Sequence, residues 1–126
     1  MPLSKGVELR AAMDMETIKA LILINGGGAV AVAAGLPAVL SNTRFWELAL
    51  PMMSGVLVFA VGLAAAVLSN HFRRACSLAF EQHRMAPPTY PRECVIGKWC
   101  FGTSVAAFLG AVLLIDGWGM CIVLRT

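Results

Sequence analysis

Few residues in this chain could do chemistry. Four cysteines (Cys76, Cys94, Cys100 and Cys121) and two histidines (His71 and His83) are the candidate nucleophiles and metal ligands. No two cysteines stand in a C-x-x-C pair, the spacing that tunes a dithiol for redox exchange or opens a zinc site. His71, Cys76, His83 and Cys94 could offer zinc two nitrogens and two sulfurs. Their spacing is irregular, and His71 and Cys76 do not share a helical face with His83, so no metal site is expected. Haem between helices would need histidines inside facing apolar stretches, and neither histidine lies in one. The acids sit at the edges of those stretches, whereas a proton relay needs several deep inside. With no nucleophile–base set, phosphate loop or carboxylate pair, neither an enzyme nor a cofactor is expected.

The elements that would hold these residues are long and apolar. Hydrophobic residues make up 59% of the 126 and charged residues 13%, against about 25% charged in a soluble domain. Mean hydropathy is +0.78. Ile18–Leu40, Leu48–Ser69 and Val95–Ile115 each carry at most one charge, close to an end. Each matches the roughly 20 residues needed to cross a hydrocarbon core about 30 Å thick, where backbone groups must bond within the segment. The expected fold is therefore an all-α membrane protein with three transmembrane helices. One membrane domain is laid out as 4–40 (an amphipathic extension plus span), 48–85 (a span plus extension), a proline-rich hinge at 86–94, a third span at 95–116 and an outer tail at 117–126. Ala31-Val32-Ala33 has the form of a signal-peptidase site, but Glu8, Asp14 and Glu16 ahead of it are residues that signal peptides avoid. The first span is expected to be retained.

Lysine and arginine give the direction. Lys5, Arg10 and Lys19 precede or enter the first span, and Arg73, Arg74, Arg84, Arg92 and Lys98 surround the second connection. Only Arg44 and Arg125 fall on the other side. Positive charge near span ends favours the cytoplasm, so the N-terminus and second connection are expected inside, with the first connection and C-terminus outside. The cysteines at 76, 94 and 100 then lie on the reducing side or in the bilayer, and no internal disulfide is expected. Cys121, outside, is expected as a free thiol or a link between copies. The net charge of +3 includes no basic run, so nucleic acid is not an expected partner.

Ser4 is a plausible N-cap for an extension that enters the first span. Beyond the second span, Leu68, Phe72, Cys76 and Phe80 recur every four residues as an apolar stripe. Because the first two spans are antiparallel neighbours, Asp14 or Glu16 is expected to meet Arg73 or Arg74. At the outer surface Arg44 is expected to meet Asp116, and Gly117-Trp118-Gly119 is expected to stop the third helix.

Small residues recur at four-residue spacing inside two spans: Gly27, Ala31 and Gly35 in the first, Gly102, Ala106 and Gly110 in the third. In lipid such strips let backbones approach and become packing faces, within the chain or between copies. Asn25, ahead of three glycines, is a polar amide about two turns into the membrane, read as an interhelical hydrogen bond or a polar point in a pore.

The run Leu21–Ala31, LILINGGGAVA, resembles the first span of a loose set of short, uncharacterised bacterial inner-membrane proteins. The resemblance covers about a third of the chain well and the rest in layout. Members of the set often have four spans where this chain has three. It implies a small bacterial inner-membrane protein and carries over no catalytic residue.

Two functions fit. One is a non-catalytic structural or accessory subunit of a membrane complex or homo-oligomer, with the bilayer and itself or a larger complex as partners. The other is a pore-forming or membrane-permeabilising effector, holin-like or defence-associated. Three-span holins usually place the N-terminus outside, which counts against that version. A small carrier would need more buried polar ligands than Asn25.

Overall fold

The computed structural model describes residues 5–43, 45–83 and 92–125. Three α-helices account for nearly all of them: α1 (Lys5–Leu40), α2 (Ala49–His83) and α3 (Arg92–Arg125). At 36, 35 and 34 residues each is about 50 Å long at 1.5 Å per residue, well beyond the thickness of the hydrocarbon core. Each contains a stretch long and apolar enough to span a membrane: Ala12–Leu40, Trp46–Leu78 and Arg92–Ile122. By length and composition these three helices suggest a membrane protein, and all three run past the apolar stretches read from sequence.

The α1–α2 connection is short. Pro37 sits in the last turn of α1, where its missing N–H removes one intrahelical bond close to the helix end. Its carbonyl accepts from the Ser41 amide at 3.0 Å, and Ser41 Oγ donates to the Ala38 carbonyl at 3.0 Å. A single 3₁₀ turn, Trp46–Leu48, then leads into α2.

Helix α2 is the centre. It packs against α1 on one side and α3 on the other, while α1 and α3 touch each other little. The register with α1 is regular and antiparallel: Asp14 faces Arg73, Asn25 faces Gly62, Gly28 faces Phe59 and Gly35 faces Met52. Each step up α1 is matched by an equal step down α2. On α3 the buried positions are Gly97, Ser104 and Ala111, a seven-residue repeat. On α2 they are Ala49, Pro51, Gly55, Phe59, Gly62, Ala65, Ala66 and Ser69, mostly at three- and four-residue steps. These are coiled-coil seams built largely from small residues.

One boundary differs from the sequence reading. The third helix does not stop at Asp116; α3 continues through Gly117 and Gly119 to Arg125. Glycine disfavours a helix by only about 1 kcal/mol in water, and the apolar residues around this pair, from Val112 to Ile122, favour a backbone that stays internally bonded. Of the 117–126 tail, residues 117–125 are thus helical, and Thr126 lies outside the described residues. Ser4, Arg44 and the prolines at 87, 88 and 91 lie outside the described residues, as does most of the proposed hinge.

Candidate functional site

Among the described residues three polar side chains are buried whole, Asn25, Ser69 and Ser104, and the Asn70 Oδ1 atom is buried without a hydrogen-bond partner. All three are neutral groups that bond but do not exchange protons near neutral pH. Asn25 on α1 is fully buried. Its Nδ2 donates to the Leu21 carbonyl at 3.0 Å and across to Ser104 Oγ on α3 at 3.2 Å. Its Oδ1 is buried with no hydrogen-bond partner and presses against Gly62 of α2. A Cβ at Gly62 would overlap Oδ1 and come within 3.0 Å of the Ala107 Cβ on α3. All three helices therefore meet at one point, made possible by a residue without a side chain. One level away, Ser69 Oγ of α2 donates to the Gly97 carbonyl of α3 at 3.0 Å.

Other glycines make close approaches along the same seams. A Cβ at Gly28 would lie 2.8 Å from the Phe59 ring, and one at Gly55 2.6 Å from Ile115 Cδ1. The strips read from sequence have a different setting. Gly27, Gly102 and Gly110 have nothing within 4 Å of a built Cβ, and Ala31 and Ala106 are exposed. Gly35 alone turns inward, 3.3 Å from Met52 Cε. On α3 the strip Gly102, Ala106 and Gly110 lies on the helix face turned away from the Gly97–Ser104–Ala111 seam.

At the end of the bundle where α2 leaves the apolar stretch, charge collects. Arg73 donates to Asp14 at 2.5 Å, joining α2 to α1. Glu16 pairs instead with Lys19 one turn along α1 at 2.7 Å. Arg74 forms no ion pair among the described residues. Asp116 is exposed near the far end of α3, and its expected partner Arg44 lies outside the described residues.

At the same end the expectation of no internal disulfide fails. Cys76 of α2 and Cys94 of α3 are bonded, with Cα atoms 5.1 Å apart, inside the usual 4.4–6.8 Å range. The expectation rested on compartment and on sequence spacing. The antiparallel register that seats Ser69 against Gly97 carries Cys76 up to Cys94, which sequence spacing does not show. Cys100 and Cys121 are free thiols.

No family model, curated protein or solved structure matches this chain. What it does must be argued from the three-helix junction, the charged end and the outward faces. Sequence reading missed Gly28, Gly55, Gly62 and Gly97 as packing glycines, along with both buried serines. A signal existed for α3, since Gly97, Ser104 and Ala111 recur every seven residues. The equally regular four-residue repeat on the opposite face drew the reading instead.

Proposed function

We propose that the chain is a non-catalytic structural or accessory subunit that assembles with copies of itself or within a larger complex. Its setting in this reading is the bacterial inner membrane, with the N-terminus and the charged end in the cytoplasm and the C-terminus outside. The observation that carries the proposal is the unoccupied small-residue strip on α3. Gly102, Ala106 and Gly110 face away from the protomer's own seam, and a Cβ at either glycine would meet nothing. In lipid there is little hydrophobic drive between helices, and close backbone approach over small residues is what holds them together. Gly27 and Ala31 give α1 a shorter face of the same kind. The outside positive bias is low and the inside bias high, which supports the orientation.

Within the spans Asn25, Ser69 and Ser104 are bonded inside the protomer, with Asn25 Oδ1 closed off by Gly62, and the other buried unpartnered oxygen, Asn70 Oδ1, belongs to a residue at the charged end, so these groups line no outward face that could become a pore wall. That favours assembly over permeabilisation. The test is to induce the chain alone and follow membrane potential with a voltage-sensitive dye. Under this reading cells keep their potential and growth rate, whereas depolarisation within minutes of induction would replace it with the pore.

A further inference from the structure

A cavity of about 650 Å³ opens at the charged end, lined by residues of all three helices. Arg73, Arg74 and Lys98 line it, as does Asp14, whose carboxylate is engaged by Arg73. Met15 and Ile18 of α1 supply apolar lining, and the Cys76–Cys94 bond forms part of the wall. Both cysteines are half-buried, so the sulfurs are neither sealed in the core nor fully in solvent. Cys94 is the third residue of α3, where the amide N–H groups of the first turn favour negative charge. Lys98 stands one turn further along the same face.

We propose that the Cys76–Cys94 bond and this cavity form a thiol–disulfide exchange site that accepts an anionic low-molecular-weight thiol. The cations draw in the thiol's carboxylate or sulfonate, and its thiolate attacks Cys76 Sγ. A new sulfur–sulfur bond forms to Cys76, and Cys94 leaves with the electron pair of the broken bond. The better-stabilised thiolate is the better leaving group, and the first turn of α3 provides that stabilisation. A second thiolate attacks the mixed disulfide and releases Cys76. Two electrons pass from two small thiols to the protein, their two protons end on Cys76 and Cys94, and the small thiols leave as their own disulfide. The reverse reaction, with that small disulfide as oxidant, closes the bond again. The outcome is a reversible cross-link between α2 and α3 past the uncharged Leu48–Ser69 run, independent of whether the chain assembles. On the cytoplasmic side, where thiol pools keep disulfides reduced, such a link would be opened and re-formed rather than permanent.

The experiment uses the full chain in nanodiscs of zwitterionic lipid, oxidised first with one equivalent of a small disulfide and then freed of small molecules. The fully oxidised chain takes two alkylation labels, on Cys100 and Cys121, and the reduced chain four. Conversion is timed by mass spectrometry with mercaptoethanesulfonate or with cysteamine, at equal thiolate concentration and low salt. The anionic thiol is expected to react about tenfold faster, the low end of electrostatic rate enhancement. That preference should fall towards unity in 1 M salt and in Arg74→Gln/Lys98→Gln. Arg74→Lys, which keeps the charge, should retain it. Equal rates for the two thiols in the wild type, a preference untouched by Arg74→Gln/Lys98→Gln, or a chain that takes four labels after oxidation would each overturn the proposal.

Discussion

Gly62 carries the tightest contact among the described residues. A Cβ there meets the Asn25 amide oxygen and the Ala107 methyl together, and neither belongs to a flexible side-chain end that could swing away. Gly62→Ala should destabilise the bundle by about 1–3 kcal/mol, the usual cost of overpacking a filled interior. Unfolding midpoints in mild detergent would read it. Gly28→Ala should follow, because the Phe59 ring it meets is buried. Gly27→Ala, one residue away, should fall within about 0.5 kcal/mol of wild type in the isolated protomer, like other substitutions that touch nothing. A reversed order for the Gly27 and Gly28 variants would mean α1 is rotated from the described register. Asn25→Ala removes the bond to Ser104 and should cost about 0.6 kcal/mol and no more than about 1.7 kcal/mol for that bond, the average and the maximum measured for interhelical hydrogen bonds in lipid. The exposed Asp14–Arg73 pair contributes only about 0–1 kcal/mol. Exchanging the two residues should recover what either single reversal loses, and failure to recover would show that the pair is incidental.

At the scale of elements, the three helices were legible in the sequence because an uncharged run of about 20 residues has essentially one stable form in lipid. Their ends were less legible. Gly117 and Gly119 resemble a stop in sequence, but whether glycine ends a helix depends on what the backbone would bond to instead. Replacing both with alanine should therefore stabilise α3 by about 0.5–1 kcal/mol each, since a Cβ at either position meets nothing; destabilisation would indicate that the helix breaks there. The choice of packing face was the least legible element property. Two small-residue repeats lie on opposite sides of α3, and periodicity finds both without saying which one meets α2. The long-range register decides that, through pairs such as Ser69–Gly97 and Gly55–Ile115. The Cys76–Cys94 bond depends on the same register. By contrast, distance from the membrane edge was enough to bring Asp14 and Arg73 into consideration.

At the scale of the whole molecule, α2 is the helix that packs on both neighbours, yet all three helices keep an outer apolar face, with Leu57 and Val61 of α2 exposed like Leu23 of α1 and Leu113 of α3. Of these faces, those of α1 and α3 carry small residues suited to close lateral packing, and the strip on α3 is the longer of the two. Cys121, exposed near the end of α3, reports orientation: in intact cells a membrane-impermeant maleimide should label it from outside, and protection there would reverse the proposed topology. The most direct test of assembly extracts the protein from its native membrane in polymer-bounded discs and counts polypeptides per disc, for wild type and for Gly102→Leu/Gly110→Leu. The wild type should share each disc with another copy or another subunit. The variant, its strip filled but its own seam untouched, should be recovered alone as a 13.4 kDa protomer with its helical content intact. A wild type found alone, or a variant that keeps its companions, would contradict the assembly reading.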